Sequence, residues 1–425
     1  MADRVVLLSI PQLRRRDVTP GCLASLDAVA AKGAINDLVP PFPGLAASSF
    51  ATFTTGTGPY EHGLVGNAYF DRQSRTIVPG PLPDSAVQAP RLWDRLREVR
   101  PGARTLLWFG PNTSGAEVAI SAGVDPGWQV ATNPPGLAAG LVARFGAFPC
   151  PEASAKGEPP RLECTGWMLR TAAATILDEA PDLAIVRVPY LGQVARRFGP
   201  DGREAGRAIL ALETVLAPFL KSLPGSTLVL AATESVSTPV SGPIYPNRVL
   251  RALGLIALRP APDGGVDVDL DKSAAFALAD HQIAHVYLND ASQAATVASA
   301  FAGLHGEGVA TVAPGSRRAE LGLDHPRSGD VILVSDPDRW FAPDWWTSAV
   351  ERPRTPAPSG LAASGASGPV DAGQVHGSLG APPPSPSYLG VVVASLRQVL
   401  GDGSQIAARD LAGIVLDALS PDHQA

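Results

Sequence analysis

Hydrophobic residues in the first half of the chain form two kinds of segment that alternate. Short, continuous runs of β-branched and aliphatic residues predict strands that are buried on both faces. Longer segments, in which apolar residues recur every three or four positions, predict amphipathic helices. The predicted strands are residues 5–10, 105–109, 183–188 and 227–232, and the predicted helices are residues 23–32, 167–177 and 204–220.

Strands that alternate with helices predict an α/β fold, in which a mostly parallel central sheet carries helices on both faces. In such sheets, ligands bind beyond the carboxyl ends of the strands. The segments that follow the predicted strands are Pro11, residues 189–197 and residues 233–235. We therefore expect a functional site to be built from these segments.

The pattern becomes less regular after Ser235, which predicts a second structural unit. Residues 240–330 are expected to form a small α/β subdomain inserted into the core. The core then consists of residues 1–239 and residues 331–425, and its second part begins with a strand at 331–334 that returns to the central sheet. The other elements predicted after Ser235 are a helix at 246–255, strands at 275–279 and 284–288, a helix at 292–304, a strand at 389–393 and a closing helix at 406–419.

Composition and charge narrow the functional classes. The net charge of −6 and the pI of about 5.7 argue against a nucleic-acid partner and against an anionic membrane surface. No apolar run reaches the roughly 18 residues that a membrane span requires. The three cysteines, Cys22, Cys150 and Cys164, are too few for a disulfide framework and indicate incidental thiols in a reducing compartment. We therefore expect the protein to be cytoplasmic.

Three stretches near the N-terminus resemble the nucleophile region of a known enzyme family. They are Pro40-Pro41-Phe42-Pro43, Thr54-Thr55-Gly56 and Glu61-His62-Gly63-Leu64-Val65-Gly66-Asn67. The type I phosphodiesterase/nucleotide pyrophosphatase family, a branch of the alkaline phosphatase superfamily, has a Pro-x-Phe-Pro stretch, a threonine nucleophile, a Thr-Gly turn and a His-Gly-Ile/Val-x-x-Asn stretch in this order. Residues 181–200, 227–235 and 375–377 stand where the family has its later motifs, so the resemblance covers nearly the whole chain.

The resemblance implies displacement at phosphorus by a hydroxyl nucleophile, assisted by two divalent metal ions. The family holds these ions with three Asp, three His and the threonine. Carried over position by position, the nucleophile becomes Ala46, and a methyl group cannot attack phosphorus. Ser48 and Ser49 lie near it as weak substitutes, and with Thr52 they are also explained by packing or by capping of the helix after the turn.

Most of the metal ligands that the resemblance implies are also replaced. Two residues remain as candidates for a metal, namely Glu234 at the position of an Asp, and His376, which matches the family. The other ligand positions are occupied by Pro11, Gly192, Arg196 and Ser235.

Arg196 changes the expected chemistry, because a guanidinium stays charged, cannot ligate a metal and would repel one. Together with Arg197 it could bind a phosphate or carboxylate through paired hydrogen bonds, with Asn67 at the lip of the site. The alternative is that both arginines form the solvated start of a helix and that Asn67 is a turn residue. The residues alone favour neither interpretation.

Three further histidines lie in patterns that bear on a site, namely His62, His281 and His285. His281 and His285 have the i, i+4 spacing of a zinc pair on a helix, but residues 280–287 have the pattern of a strand, and no third ligand is near in sequence. His62 lies in the Glu61-His62-Gly63 turn, where the resemblance implies a structural role.

The sequence therefore favours a catalytically inactive homologue, a pseudoenzyme, with a binding or structural role and no cofactor. Its expected partner is an anionic small molecule. One alternative is an active hydrolase with a rebuilt site, in which zinc or manganese is held by Glu234 and His376 and a serine or water is the nucleophile. Another is an interaction protein that uses the inserted subdomain or residues 353–373, whose Pro, Ala, Ser and Gly content predicts a flexible loop. The ligand, any protein partner and the oligomeric state are not identified by the sequence.

Overall fold

The structure is a computed structural model of the full chain. It describes residues 3–122, 130–149, 161–261, 264–353, 361, 372–401, 403 and 405–420. The strands, in chain order, are β1 Arg4–Ser9, β2 Ala34–Val39, β3 Tyr69–Asp71, β4 Thr76–Val78, β5 Thr105–Trp108, β6 Val118–Ala122, β7 Val130–Asn133, β8 Leu183–Arg187, β9 Thr227–Ala232, β10 Ser237–Pro239, β11 Gly242–Ile244, β12 Leu258–Pro260, β13 Val266–Val268, β14 Ala275–Asp280, β15 Ile283–Leu288, β16 Val309–Pro314, β17 Val331–Ser335, β18 Arg339–Phe341, β19 Gly377–Leu379, β20 Gly390–Ala394 and β21 Gln405–Ala407. The helices are α1 Ala24–Lys32, α2 Ala46–Thr55, α3 Pro59–His62, α4 Leu92–Val99, α5 Leu137–Phe145, α6 Leu162–Glu179, α7 Tyr190–Phe198, α8 Arg203–Ser222, α9 Pro246–Ala252, α10 Ala294–Ala302, α11 Arg317–Glu320 and α12 Leu411–Leu419.

The main sheet has the strand order β21-β2-β20-β9-β1-β8-β5-β6-β7. The central strands β9, β1, β8, β5 and β6 are parallel to one another, and β2 and β21 form a further parallel pair. Strand β20 runs antiparallel to both neighbours, and β7 runs antiparallel to β6. The predicted α/β fold with a mostly parallel central sheet is confirmed.

Alternate side chains of β1 pack into two separate layers, which explains its continuous apolar sequence. Val6 and Leu8 belong to a core formed with α1, α6 and α8, whereas Val5 and Leu7 belong to a core on the other face with α2, α4 and α12. All four side chains are fully buried. Burying an aliphatic side chain contributes about 1.5–3 kcal/mol, so a strand covered on both faces gains from every position.

A smaller sheet forms the inserted unit and has the order β14-β15-β17-β16, with antiparallel pairs throughout. Its core includes residues of α9 and α10. The expectation that residues 331–334 return to the central sheet is wrong, because β17 lies between β15 and β16. A short apolar run predicts a buried strand but does not say which sheet it joins.

Two other expectations differ from the structure or lie outside it. The closing helix α12 begins at Leu411, and the preceding residues Gln405–Ala407 form the edge strand β21 beside β2. Of the predicted flexible loop at 353–373, the structure describes only residues 353, 361, 372 and 373. In the described part of the chain, every helix is either too short or too polar to cross a membrane.

The cysteines are not all thiols. Cys22 is free, but Cys164, near the start of α6, is disulfide-bonded. Cys150 lies outside the described residues. The interpretation of the cysteines as incidental thiols is therefore wrong for Cys164.

Candidate functional site

The carboxyl ends of β1, β8 and β9 meet at one edge of the sheet, and the segments that follow them come together there. The backbone N–H of Gln12 donates to the carbonyl of Ser235 at 2.7 Å. A Cβ atom built on Gly192, in α7, would lie 3.6 Å from Cβ of Pro11. The structure thus brings Pro11, Gly192 and Ser235, three of the positions at which metal ligands were expected, into one place.

Glu234 lies at the same edge, but its carboxylate is already bound. Arg187, the last residue of β8, donates from Nε at 2.7 Å and from Nη2 at 2.6 Å, and the Ser9 hydroxyl donates at 2.9 Å. The Glu234 side chain is 0% exposed. Burial lowers the pKa of Arg187, but the Glu234 carboxylate outweighs this effect, so the net pKa is raised. Arg187 therefore stays charged, and its guanidinium engages both carboxylate oxygens of Glu234 within the protein.

His376, the other residual candidate for a metal, is fixed by its backbone rather than by its side chain. Its N–H donates to the carbonyl of Arg196 at 2.9 Å, and its carbonyl accepts from the N–H of Val240 at 3.1 Å. The imidazole is exposed.

The residues at the implied metal positions do not fit a pair of divalent ions. Pro11 and Gly192 carry no donor atom, Arg196 is a cation, and the carboxylate of Glu234 is engaged by Arg187. Among the described residues, no group of three or more His, Cys, Asp or Glu side chains is arranged to hold a metal.

The region of the implied nucleophile is the first turn of α2. Ala46 is the first residue of this helix, after Leu45 at the N-cap. Ser48 is fully buried and donates from Oγ to the carbonyl of Leu64 at 2.8 Å. Ser49 is also fully buried, and its hydroxyl has no hydrogen-bond partner among the described residues. Neither serine caps the helix, and neither hydroxyl is exposed to a substrate.

Asn67 connects this turn to the inserted unit. Its side-chain oxygen accepts from the N–H of Ala47 at 3.0 Å. Its side-chain amide donates to Oδ1 of Asp280 at 3.0 Å, and its backbone N–H donates to Oδ2 at 2.7 Å. Asp280 is the last residue of β14 and is 2% exposed. The inserted unit therefore supplies a buried carboxylate beside the implied nucleophile position.

Sequence reasoning missed Asp280 as a site residue. The available signal was a single acidic residue at the end of the apolar run Ala275–Asp280, just before a turn. Its partner Asn67 is 213 positions away in the chain. Only the folded structure shows that the two meet.

Arg196 lies on α7 close to Asp280 and to the turn that follows it. Burial lowers the pKa of Arg196, and the Asp280 charge partly offsets this effect. Burial and the charge of Arg196 lower the pKa of His281 to about 3, so this imidazole is neutral at ordinary pH. Two residues after His376, the Ser378 hydroxyl lies 3.5 Å from Nδ1 of His281. We refer to Arg196, Asn67, Asp280 and His281 as the Arg196 cluster.

The guanidinium of Arg196 has no hydrogen bond or ion pair with any residue in the described part of the chain. Its side chain is only half-buried. Arg197, in contrast, places its guanidinium 5.5 Å from the ring centre of Phe198. Arg196 and Arg197 are therefore held differently, and Arg196 alone belongs to the cluster.

His285 and His62 are held by contacts with residues outside this cluster. His281 occupies the β14–β15 turn with φ of 60°, whereas His285 lies in β15 and accepts from the N–H of Gly329 at 3.1 Å. The two do not share a helix. His62 is fully buried, accepts from the N–H of Leu64 at 3.1 Å and lies 3.2 Å from the Thr52 hydroxyl.

Comparison with known proteins places these features in a family context. A family model described as type I phosphodiesterase / nucleotide pyrophosphatase matches residues 5–370. Phosphonoacetate hydrolase from Sinorhizobium meliloti 1021, solved with phosphonoformate, is similar with a TM-score of 0.67 and 14% identity over 98% of this chain and 95% of that one. Murine ectonucleotide pyrophosphatase / phosphodiesterase 5 has a TM-score of 0.66 and 12% identity over 98% and 95%, and its human counterpart 0.64 and 13% over 98% and 94%. At these identities the structural similarity shows the fold alone, and no curated protein matches the sequence.

Proposed function

The chain belongs to the type I phosphodiesterase / nucleotide pyrophosphatase family, and we propose that it is a catalytically inactive member that binds a small anion at the Arg196 cluster. The observation that carries this proposal is the ion pair between Arg187 and Glu234. A metal at this edge of the sheet would need the Glu234 carboxylate, and a guanidinium already neutralises it. An arginine thus supplies the positive charge that a metal ion would bring.

Loss of the nucleophile supports the same conclusion independently. Ala46 has no group that can attack phosphorus, and Ser48 directs its hydroxyl to a backbone carbonyl. Catalysis depends on the residues of the site and not on the fold. A phosphodiesterase fold without a nucleophile or a metal pair retains the architecture of the family but not its reaction.

The proposed ligand is a phosphate, sulfate or carboxylate group. Arg196 offers up to five N–H donors without a partner among the described residues. The first turn of α2 lies nearby, joined to the cluster through Asn67, and the N-terminus of a helix favours negative charge. The acidic chain as a whole disfavours polyanions such as nucleic acid and anionic membranes, so we propose a small molecule as the partner.

The alternative, a hydrolase with a single zinc or manganese ion on Glu234 and His376, needs the Arg187 pair to break. Removing one partner from a buried ion pair costs about 3–5 kcal/mol. Metal binding would have to offset this cost with only two protein ligands. We therefore do not propose it as a second function.

Two measurements on the purified full chain test the proposal. Native mass spectrometry after incubation with zinc or manganese, with His376→Ala beside the wild type, should show no tightly bound metal in either protein. Two metals per chain that disappear in the variant, together with hydrolysis of bis(p-nitrophenyl) phosphate, would overturn the inactive assignment.

Calorimetric titration with sulfate tests the anion site. The wild type should bind sulfate, Arg196→Gln should bind at least tenfold more weakly, and Arg197→Gln should bind like the wild type. The two arginines are neighbours in sequence, so Arg197→Gln controls for the loss of one positive charge. Equal weakening in both variants would mean that the general surface charge attracts sulfate and that no site exists at Arg196.

A cytoplasmic location remains a prediction. The bonded state of Cys164 bears on it, because disulfides persist mainly in oxidising compartments. Fractionation of cells that produce the full-length protein, combined with thiol labelling of the denatured chain, would decide it. Three reactive thiols per chain in the cytoplasmic fraction would support the prediction.

A further inference from the structure

We propose that Asp280 is an internal competitor for the anion site, and that an external anion binds tightly beside Arg196 when the Asp280 carboxyl is neutral and weakly when it is charged. This inference rests on the proposed function, because it assumes that Arg196 receives an anion. It adds a regulatory role for the inserted unit, which contributes Asp280 from the end of β14.

Asp280 already makes the contacts that an anionic ligand would make. Both of its oxygens accept hydrogen bonds from Asn67, one from the backbone at 2.7 Å and one from the side-chain amide at 3.0 Å. Asn67 in turn binds the first turn of α2 through Ala47. A carboxylate that belongs to the protein therefore occupies donors beside the implied nucleophile position.

The backbone holds Asp280 in this place from both sides. The backbone carbonyl of the next residue, His281, accepts a hydrogen bond from the N–H of Phe341 at 2.6 Å. The N–H of Gln282 donates to the carbonyl of Leu379 at 3.0 Å. On the opposite side, a Cβ atom on Gly66 would lie only 3.2 Å from Oδ2 of Asp280. The close approach of the turn at Gly66 to the end of β14 thus depends on the glycine at position 66. The Asp280 carboxylate therefore has little freedom to move away.

Within the described part of the chain, two charged or titratable side chains face Asp280, namely Arg196 and His281. Arg196 from α7 is the charged side chain that interacts with it, and His281 in its own turn is neutral at ordinary pH. Asn67 is uncharged. The charge of Asp280 therefore opposes the charge of Arg196, and an external anion near Arg196 would experience repulsion from Asp280.

The carboxyl is placed to change its charge near neutrality. Burial raises the pKa of Asp280 to about 6, although the hydrogen bonds from Asn67 and the charge of Arg196 act in the opposite direction. Below this pH the carboxyl is neutral and the charge of Arg196 is unopposed. Above it, the carboxylate competes with the ligand. Anion affinity is therefore expected to fall as the pH rises, and an anion bound at Arg196 should raise the pKa of Asp280 further.

Sulfate is the appropriate probe, because its own charge does not change between pH 5 and pH 8. In calorimetric titrations at constant ionic strength, the dissociation constant of the wild type should rise above pH 6, with a limit of about tenfold per pH unit for one proton. Asp280→Asn keeps the size of the side chain and removes its charge. This variant should bind sulfate at pH 8 as tightly as the wild type binds it at pH 5, with little dependence on pH.

A second measurement needs only the wild type and guards against a variant that does not fold. Sulfate binding at pH 7 should be accompanied by the uptake of nearly one proton, which appears as a difference in binding enthalpy between imidazole and Tris buffers. Binding that depends on Arg196 but shows no proton uptake would overturn the role of Asp280 and leave the proposed function intact. Absence of sulfate binding at any pH would overturn the proposed function and this inference together.

Discussion

Arg187 reaches across the end of β1 to bind Glu234. Ser9 lies opposite Arg187 in β8 and opposite Ala232 in β9, so the guanidinium and the carboxylate meet over the terminal residue of the central strand. Ser9 completes the arrangement with a hydrogen bond to the same carboxylate at 2.9 Å. Three adjacent strand ends, which in the family surround metal ions, are joined here by an internal ion pair.

The buried ion pair between Arg187 and Glu234 predicts that removal of Arg187 strongly destabilises the fold. Arg187→Met leaves Glu234 as an uncompensated buried charge and should lower the free energy of unfolding by about 3–5 kcal/mol. Adding Glu234→Leu should recover most of this loss, because a buried ion pair can often be replaced by apolar residues at little cost. Urea unfolding of both proteins measures the difference.

Arg144 provides a matched control for that experiment. It forms an ion pair with Asp178 at 2.7 Å, but both side chains are more than half exposed. Arg144→Met should change the free energy of unfolding by less than about 1 kcal/mol. A similar, small effect of Arg187→Met would show that the Glu234 carboxylate is not confined as the structure indicates.

Restoring the nucleophile alone should not restore hydrolysis. Ala46→Thr introduces the hydroxyl of the family, but Pro11, Gly192 and Arg196 still lack metal-binding groups. Turnover of bis(p-nitrophenyl) phosphate with added zinc should remain at the background rate. A clear increase in this single variant would contradict the inactive assignment and would indicate a working metal site.

A full restoration should behave differently from the single variant. The six substitutions needed are Pro11→Asp, Ala46→Thr, Gly192→Asp, Arg196→His, Glu234→Asp and Ser235→His. The distance of 3.6 Å between Cβ of Pro11 and a Cβ atom at position 192 places two new carboxylates side by side. We expect this protein to bind zinc in native mass spectrometry, whereas the Ala46→Thr protein should not.

His62 should make the protein less stable in mild acid. Burial lowers its pKa to about 4 from an ordinary value of 6.5, because the imidazolium would lose its hydration. Between these two pH values the unfolded chain binds the proton more readily, so stability falls as the pH decreases. The contribution of one proton is at most about 1.4 kcal/mol per pH unit.

The measurement is urea unfolding at several pH values between 4 and 7. His62→Gln should reduce the slope of stability against pH by up to one proton equivalent. It should not abolish the slope, because burial also lowers the pKa of His285, to about 4. An unchanged slope in the variant would mean that His62 is accessible to protons in the folded state.

Gly66 and Gly206 should respond to alanine in opposite directions. A Cβ atom on Gly66 would lie 3.2 Å from Oδ2 of Asp280, so Gly66→Ala should strain the contact with the Arg196 cluster and cost about 1–3 kcal/mol. Gly206 lies in α8 with nothing near the position of a Cβ atom, and alanine there should add roughly 0.5–1 kcal/mol of stability. Thermal unfolding of the two variants compares them directly.

The central strands could be predicted because their signal is local. The predicted strand at 227–232 coincides with β9, and the segment at 183–188 extends one residue beyond β8. Both are mainly apolar segments, and apart from the half-buried Arg187 their residues are buried. The run at 331–334 carries the same local signal, yet it joins the small sheet, since partner choice depends on long-range packing.

The residues at the implied nucleophile and metal positions could also be located from local sequence signals. Each of them follows a predicted strand or lies in a motif of fixed spacing. Pro11 and Glu234 follow β1 and β9, and the family resemblance predicts from the sequence alone that the nucleophile and most metal ligands are replaced. These are statements about which residue stands at a position, and they need no coordinates.

Only the tertiary structure decided which of these residues interact. Arg187 had no distinguishing mark in the sequence, and its role arises from the register that sets it beside Ser9 and Glu234. Asp280 reaches Asn67 because the inserted unit folds back onto the core over 213 positions. The spacing of residues in the sequence reports local periodicity, which predicts helices and strands. The partners of a buried carboxylate depend instead on strand register and on packing between the core and the inserted unit. The sequence therefore determined the fold and predicted the loss of the catalytic groups, and the tertiary structure determined where the remaining charges lie and what neutralises them.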